Sequence, residues 1–473
     1  MRANPQPSFA DLELQSQVVL EPTLEAISEL VDQHPELVEL VHRDLMRGLK
    51  RSRTGRRGMT AEQVLRTFVL KSIKDWDLRE LRERTADGYS LRLFTRFFCQ
   101  PVPRHDAFNR AFHRLRPETL EAINEALVRV AVDLGLEDGK QLRVDTSVVE
   151  TDIHWPTDST LLWDAIRVIT RLVLGFREKL PAAICAIRFN NRTRSARRRM
   201  QEIQRMTTAQ RRSRLVPKYR ELIRIAEQVV EQARRVIETT PAACATDDPL
   251  DVVARQELAQ EIDHYCGLAE RVLVQTRRRV LHGETVPANE KVYSIFEPHT
   301  DLIKRGKARK PVEFGHKIFL AESRIGLVTQ YRVIEGNPND DGHVAPSLEE
   351  HQRLFGAPPE LYAGDRGFYS PANLEECRQA GVALECLPQC GGRKTPERAA
   401  YEKSAAFRNG QRFRAGVEGR ISVLFRGRGM KRCRLEGPVR FEVFVGLSVL
   451  ANNLLVIAER LARRRRRKRK RAA

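Results

Sequence analysis

A strand-like stretch, residues 141–152, carries an acid where a carboxylate is energetically expensive. Leu142 and Val144 fall on one face of the alternating pattern, and Arg143 and Asp145 fall on the other. A carboxylate in the middle of a half-buried strand is costly unless a positive group meets it. A bound cation can meet that need, and a plain ion pair with Arg143 is the simpler alternative.

Two further acids lie on rigid elements elsewhere in the chain. Asp365 ends a short strand-like segment, and Glu418 lies beside the apolar stripe of a helix predicted over 413–425. Three carboxylates from three elements can form an oxygen-rich pocket for two hard divalent cations. Such an ion pair clamps the attacking and leaving oxygens of a phosphoryl displacement. Sequence position alone does not select these acids among the 62 Asp and Glu residues.

The elements around these acids predict an α/β fold. Residues 312–320 and 326–335 predict adjacent strands joined by a short turn, 373–380 a helix and 382–387 a further strand. The alternation of strands and helices indicates a sheet with parallel members. Acids at the carboxyl ends of its strands would lie where ligands bind in open α/β sheets.

Helical patterns dominate the chain before the first strand. One helix is predicted near 24–46, and Thr60 with Gln63 has the spacing of a capping box that opens a second helix. Short arginine-rich helices with tight turns follow up to residue 134. They are compatible with a helix-turn-helix DNA-binding domain, and a helical bundle that packs on the next domain is an equal alternative.

Two basic segments stand out later in the chain. Long charged helices are predicted over 165–285, and acids are nearly absent between Arg188 and Lys218. This favours a phosphate-contacting face over a solvated one. An apolar-faced helix is predicted over 441–461, before nine consecutive basic residues, which predict a disordered polycation that raises non-specific DNA affinity. A solvated tail with no role is the alternative.

Bulk composition points to a polyanionic partner. The 473 residues include 83 Lys and Arg against 62 Asp and Glu, a net charge of +21, which favours nucleic acid over a membrane surface. No apolar run of about 18 residues and no signal-peptide core are found, so no membrane span is expected. Eight scattered cysteines predict free thiols in a reducing compartment, which indicates a cytoplasmic protein.

Several motifs together resemble the DDE transposases of bacterial insertion sequences, specifically the ISNCY-type group. The resemblance covers about residues 60–455. It is carried by five stretches: Val144-Asp-Thr-Ser-Val-Val-Glu150, Pro156-Thr-Asp-Ser-Thr-Leu-Leu162, Lys304–Lys317 with its Glu-Phe-Gly-His-Lys, Tyr362-Ala-Gly-Asp-Arg-Gly-Phe-Tyr369 and Arg414-Ala-Gly-Val-Glu-Gly-Arg-Ile-Ser422.

The resemblance implies an RNase H-like catalytic core with Asp145, Asp365 and Glu418 as both catalytic residues and metal ligands. It implies two Mg²⁺ ions, with Mn²⁺ as a substitute, which support cleavage at element ends and transfer of the freed 3′-hydroxyl into target DNA. The expected partners are double-stranded DNA and further copies of the chain, a homodimer or larger, in a nucleoid-associated synaptic complex. Six arginines are the candidates for DNA contact: Arg197, Arg198, Arg199, Arg366, Arg414 and Arg426.

One motif departs from the family. Many related transposases carry Tyr-x2-Arg-x3-Glu-x6-Lys around the last acid. This chain keeps the arginine, Arg414, and the glutamate, but Gln411 stands at the tyrosine position and Phe425 at the lysine position. Arg426 or Arg428 is expected to replace the missing basic side chain, or the copy is catalytically impaired.

The predicted organisation is an RNase H-like mixed sheet flanked by helices, interrupted by a helical insertion and preceded by a helical DNA-binding domain. The predicted boundaries are 1–55 for an N-terminal helical segment, 56–138 for the DNA-binding domain, 139–164 with 286–440 for the catalytic core, 165–285 for the basic insertion and 441–473 for the last helix and tail. A non-catalytic, domesticated DNA-binding relative and another two-metal nuclease, such as an RNA-processing enzyme, are the alternative functions.

Other polar residues are weaker candidates. Glu150 falls on the opposite strand face from Asp145. Of the acids left out of the predicted metal site, Asp152 is the one whose exclusion is most open to error. Asp158 is expected to be structural, since it or its neighbour suits a helix N-cap. Cys386 and Cys390 lack a convincing second pair for zinc. His316 and His343 are expected to make ordinary hydrogen bonds.

Overall fold

The structure is a computed structural model that describes residue 8 and residues 18–49, 58–179, 188–206, 212–239, 248–304 and 311–472. Its first part is helical, as the pattern predicts. The helices are α1 (Pro22–Gln33), α2 (Pro35–Met46), α3 (Ala61–Lys74), α4 (Leu78–Asp87), α5 (Tyr89–Phe94), α6 (His105–Phe112) and α7 (Pro117–Asp133).

Local chemistry explains where these helices begin and end. The capping box at the start of α3 is confirmed: the Gln63 amide donates to Thr60 Oγ1 at 3.1 Å, and the Thr60 amide donates to Gln63 Oε1 at 3.0 Å. The single helix predicted over 24–46 is wrong, because the chain breaks at His34 between α1 and α2. Pro35 disfavours the helical conformation of the residue before it and suits the first turn of a new helix.

The mixed sheet contains seven strands within the described residues. They are β1 (Gln141–Thr151), β2 (Asp301–Lys304), β3 (Val312–Ser323), β4 (Val328–Ile334), β5 (Leu361–Ala363), β6 (Leu384–Cys386) and β7 (Arg432–Cys433). The order is β2-β3-β1-β5-β6, with β4 beside β3 and β7 beside β1. The parallel members are confirmed, since β1 pairs in parallel with β5 and β5 with β6. The predicted hairpin is confirmed too, as antiparallel β3 and β4.

Strand β1 is more deeply buried than a one-faced alternation predicts. Leu142 and Val144 pack with Phe319 in one core cluster, and Val149 packs with Ile318 in another. All residues from 147 to 151 are buried. The far half of β1 is therefore covered on both faces, as in sheets that carry helices on each side.

The remaining helices of the sheet region are α12 (Val344–Phe355), α13 (Pro371–Gln379), α14 (Pro396–Lys403) and α15 (Ala405–Ser422), the last continued by a π-helical turn, Val423–Gly427. The last helix is α16 (Pro438–Ala472). In α16 the segment Pro438–Arg467 is long and apolar enough to span a membrane, but 89% of its apolar window is buried in the protein's own core.

The predicted disordered tail is wrong in its described part, because α16 continues through the basic run. Arginine, lysine and alanine are good helix formers, and the first turns of the run are anchored. Arg464 donates to the Leu134 and Gly135 carbonyls at 2.7 and 2.6 Å, and Arg465 pairs with Glu29 at 2.5 Å.

The chain divides into two compact units, one formed by Met1–Glu150 with His316–Ala473 and the other by Thr151–Gly315. The second unit contains α8 (Asp158–Glu178), α9 (Thr193–Gln204), α10 (Arg212–Thr239) and α11 (Pro249–Thr276) around a core of their own. It includes the segment 165–285 that the sequence predicts as an insertion.

Candidate active site

The first two predicted acids lie at equivalent points of neighbouring parallel strands. Arg143 on β1 is paired in register with Ala363 on β5. Asp145 and Asp365 each follow two residues after that pair, so both lie at the same level of the sheet. Asp365 opens a 3-10 turn and accepts a hydrogen bond from the Gly367 amide at 2.8 Å. Asp365 thus lies just past the carboxyl end of β5, where open α/β sheets bind ligands, whereas Asp145 lies inside β1, which continues to Thr151.

One guanidinium, that of Arg414 on α15, joins all three predicted acids. Its Nη2 lies 3.0 Å from Asp145 Oδ2 and 3.6 Å from Asp365 Oδ2. Its Nη1 lies 3.5 Å from Glu418 Oε1, one helical turn farther along α15. The Glu418 side chain is 72% exposed, so it is the most loosely held of the three. The structure therefore brings the predicted acids together around an arginine.

Asp145 is the most perturbed acid of the site. It is buried, and its Oδ1 accepts the Thr146 amide at 2.8 Å. Burial raises the pKa of the Asp145 carboxyl to about 6, Arg414 opposes that rise, and Asp365 and Asp340 add to it. Acids that crowd one another in this way favour the arrival of a cation. The alternative ion pair with Arg143 is wrong, because Arg143 binds another acid.

A fourth carboxylate, Asp340, belongs to the site and was missed in the sequence. It lies on a 3-10 turn after β4, and its Oδ1 accepts from Thr146 Oγ1 at 2.9 Å and from Lys317 Nζ at 2.7 Å. A Cβ added at Gly367 would lie 2.8 Å from Asp340 Oδ2 and 3.1 Å from Asp365 Oδ1. The available signal was its position soon after a strand, which it shares with Asp365.

A buried ionic network fixes α15 against the sheet. Glu322 on β3 has no exposed surface. Its Oε2 accepts from Arg143 Nε at 2.8 Å, and its Oε1 accepts from Arg420 Nε at 2.9 Å. Arg143 is two residues from Asp145 on β1, and Arg420 is two residues from Glu418 on α15. One glutamate thus ties together the two elements that carry the outer members of the acid triad.

Two glycines make room for these arginines. A Cβ at Gly416, in the middle of α15, would lie 2.0 Å from Arg143 Nη1. A Cβ at Gly326 would lie 2.0 Å from Arg420 Nη2, and Gly326 also has a positive φ of 91°. Gly416 costs helix stability by its propensity. Its place in α15 is explained by the guanidinium that lies against the helix backbone.

The two positions that depart from the transposase motif, 411 and 425, have different structural consequences. Gln411 donates from Nε2 to the Cys386 carbonyl at 2.7 Å and to the Gly364 carbonyl at 3.2 Å, so it fastens α15 beside Asp365. Arg428 donates to the Ile73 carbonyl at 3.2 Å, and its burial lowers its pKa. Arg426 is exposed. Of the two arginines expected to replace the missing lysine, Arg426 is the one at the surface.

The other predicted DNA-binding arginines differ in their surroundings. Arg366 and Arg197 are exposed. Arg198 and Arg199 are ion-paired with Glu202, at 3.1 and 2.8 Å. Glu202, the one acid between Arg188 and Lys218, thus neutralises part of the basic face. Contact of these arginines with DNA stays a prediction.

The weaker candidates have structural partners. Glu150 pairs with Arg432 at 2.8 Å. Asp158 begins α8 but does not cap it, since the N-cap is Thr157, and its carboxylate instead accepts from Gln275 and Arg279 at 3.0 and 2.8 Å. Its structural role is therefore confirmed by a different set of bonds.

The cysteines and histidines that were weighed as weaker candidates form no metal-binding group within the described part of the chain. Cys386 and Cys390 are free thiols. The His316 ring packs edge-on against Phe441 at 4.8 Å, and the His343 ring packs against Phe319 at 5.6 Å. His316 is buried, whereas His343 is half-buried. Within the described residues no hydrogen-bond partner reaches His343 Nε2, so the ordinary hydrogen bond expected of His343 is not found at that nitrogen.

The donor chemistry of the site suits a hard divalent cation. No set of three or more His, Cys, Asp and Glu side chains within the described ranges is arranged to hold a metal ion. The charge of the acids is balanced instead by the Arg414 guanidinium that lies among them. Asp145 and Asp365 both reach the same nitrogen of that group. Carboxylate oxygens are the ligands that Mg²⁺ and Mn²⁺ prefer, so Asp145, Asp365 and Glu418 would hold such an ion in exchange for the guanidinium.

Cation binding at this site is expected to weaken in acid. With its pKa raised to about 6, Asp145 is protonated below that pH and ionised above it. The affinity for Mn²⁺ should fall about tenfold per pH unit below about pH 6 and level off above it. Calorimetric titration with Mn²⁺ between pH 5 and 8 measures this, and the Asp145→Asn protein should lose the slope. An affinity that does not change over this range would contradict the assignment.

Comparison with known proteins found no match that bears on this site. No family model matches the sequence, and neither curated protein sequences nor solved structures give a significant match.

Proposed function

We propose that this chain is a DDE-type transposase that cleaves DNA strands at insertion-sequence ends and joins the freed 3′-hydroxyl to target DNA. The observation that carries the proposal is the convergence of Asp145, Asp365 and Glu418 on the single guanidinium of Arg414. These acids come from two parallel strands and a helix packed beside them. That arrangement supports an RNase H-like core, and we include this fold in the proposal.

In this function the acids bind cations and the surrounding groups hold the acids in place. Asp145, Asp365 and Glu418 would hold Mg²⁺, which would supply activation of the attacking oxygen and stabilisation of the leaving oxygen of the phosphodiester. The Thr146 and Gly367 amides fix one oxygen each of Asp145 and Asp365, and the other oxygen of each faces the Arg414 guanidinium, which a cation would replace. Arg414, released from the acids, is placed to contact a phosphate of the bound strand.

The surface around the acids suits a polyanionic substrate. Arg366 follows Asp365 directly, Arg426 lies two helical turns beyond Glu418, and both are exposed. The net charge of +21 supplies a long-range attraction for DNA. Chemistry on paired element ends requires at least two copies of the chain, so a homodimer or larger complex on the nucleoid is part of the proposal.

A cleavage assay tests the proposal. Full-length protein is incubated with linear DNA that carries the sequences flanking its gene, with Mg²⁺, with Mn²⁺ or with EDTA. We expect nicks at the element ends and joined products with either metal and none with EDTA. Preferential cleavage of RNA over duplex ends would replace the transposase with another two-metal nuclease.

A non-catalytic DNA-binding relative is the second candidate, favoured by Phe425 at the position of the missing lysine and by the loose hold on Glu418. It predicts tight DNA binding that weakens steeply with salt, and no metal-dependent product. Salt-dependent binding alone does not separate the candidates, since every one of them binds through phosphates. Metal-dependent cleavage does separate them, because only a catalytic protein gives cleaved products.

A further inference from the structure

A cavity of about 780 Å³ lies between the α3–α4 turn, the π-helical turn after α15 and strand β7. None of the acids of the proposed active site lines it. Its volume lies in the range of small-ligand sites. Its lining combines aromatic rings with cationic side chains, the two kinds of group that single-stranded nucleic acid requires.

The walls of the cavity are held by contacts between the elements that form it. Asp75 has a left-handed φ of 54°, and its carboxylate lies against Gly429, where an added Cβ would clash with Asp75 Oδ1. The Glu150 amide donates to the Lys431 carbonyl at 2.9 Å, and the Glu150 carboxylate pairs with Arg432 at 2.8 Å. The cavity is thus formed by the fold itself.

Three aromatic rings contribute the flat apolar surface. Trp76 comes from the α3–α4 turn, Phe425 from the π-helical turn and Phe444 from α16, and all three are half-buried. A partly exposed tryptophan in a cavity is a suitable surface for a nucleobase, because stacking on an aromatic ring tolerates every base.

Four cations of the lining have no ion-pair partner among the described residues: Lys71, Arg79, Lys431 and Arg434. Asp77 caps α4 by accepting the Arg79 and Glu80 amides at 2.8 Å. Burial lowers the pKa of the Lys71 ammonium, and the nearby Asp75 and Asp77 carboxylates oppose that shift. A phosphate in the cavity would add a direct counterion for the four cations.

The distance between the cavity and the proposed active site corresponds to the length of a few nucleotides. Phe425 follows Glu418 by seven residues, about 10 Å along a helix. Glu150 follows Asp145 by five residues, about 17 Å along a strand. These distances correspond to roughly three to five base steps at about 3.4 Å each.

From this chemistry and position we propose that the cavity binds one unpaired nucleotide of a DNA strand that is held at the acids. Its base stacks on Trp76, and its phosphates contact Lys71, Lys431 and Arg434. This inference rests on the proposed function for its substrate, DNA, but it concerns binding and not cleavage.

Binding in EDTA tests the cavity without any cleavage. Two fluorescein-labelled duplexes of equal duplex length, one blunt and one with a three-nucleotide single-stranded extension, are titrated with full-length protein at one salt concentration. The wild type should bind the extended duplex at least about fivefold more tightly, the lower end of what one stacked base contributes. Trp76→Ala should abolish this preference and Trp76→Phe should keep it.

Charge variants separate the cavity from the general basic surface. Arg434→Gln should weaken binding of the extended duplex several-fold more than binding of the blunt one. Arg82→Gln, which removes the same charge from an exposed position on α4 outside the cavity, should affect both duplexes equally. Because Arg434 is exposed, its replacement tests the cavity even if Trp76→Ala fails to fold.

Two results would overturn the cavity proposal: equal wild-type affinity for the two duplexes, or a folded Trp76→Ala protein that keeps the preference. Either result leaves the proposed function untouched if nicking is still observed. A protein that prefers the extended duplex but never nicks DNA would support the cavity and count against the transposase.

Discussion

Replacing Asp145 with asparagine is expected to slow metal-dependent strand cleavage by at least about a thousandfold. The amide keeps the shape of the side chain and can still accept the Thr146 amide, but it carries no charge for a cation. A thousandfold loss corresponds to about 4 kcal/mol of transition-state stabilisation, a size typical for the loss of an electrostatic group at a reacting centre. The measurement is the single-turnover nicking rate at saturating Mg²⁺.

The fold and DNA affinity of this variant should be retained. Burial raises the pKa of the Asp145 carboxyl to about 6. At neutral pH this side chain is therefore ionised, although burial destabilises its charge. A neutral side chain removes that cost, and DNA binding in EDTA should stay within about twofold of the wild type. Loss of cleavage with intact binding then separates catalysis from recognition.

Asp152→Asn is the matched control. It removes the same charge close by, just after β1, from an exposed side chain. Its nicking rate should stay within about threefold of the wild type. If Asp145→Asn kept more than a tenth of the wild-type rate while Asp152→Asn lost activity, the catalytic acid would be Asp152 and the proposed site would be wrong.

The Glu322→Gln protein is expected to be destabilised by about 3–5 kcal/mol, the usual cost of breaking a buried ion pair. Glu322 is fully buried and balances two guanidinium groups, those of Arg143 and Arg420. Glutamine has one acceptor oxygen and no charge, so one arginine would lose its bond and both would lose their counterion. Urea unfolding followed by circular dichroism measures the change.

A charge change of the same type at the surface provides the comparison. Glu335, at the end of β4, is exposed and makes no ion pair within the described residues. Glu335→Gln should shift the urea midpoint negligibly. An unchanged midpoint for Glu322→Gln would mean that the network does not hold α15 to the sheet.

The sequence predicts well the parts of this fold that follow from local periodicity. Strand β1, the capping box at Thr60 and the helix that carries Glu418 are examples. In each case the signal lies within about a dozen residues. The parallel members of the sheet were predicted from the alternation of strands and helices, but the pairing of β1 with β5 was not.

The parts that the sequence did not predict depend on contacts between distant segments. Arg414 among the acids, Asp340 bound to Thr146, and Glu322 between two arginines all join residues far apart in the chain. No periodic pattern specifies which arginine meets which acid. The helical tail was missed for a related reason, since Arg464 is anchored by backbone carbonyls that composition does not reveal.

Gly416, in the middle of α15, affects which substitutions this helix can accept. A methyl group at position 416 would collide with the guanidinium of Arg143, so either that side chain or the helix would have to shift. Arg143 is held by Glu322 and by the Phe413 carbonyl. Alanine, the residue that helices otherwise favour most, would therefore strengthen α15 in isolation but disturb the contacts that tie this helix to β1.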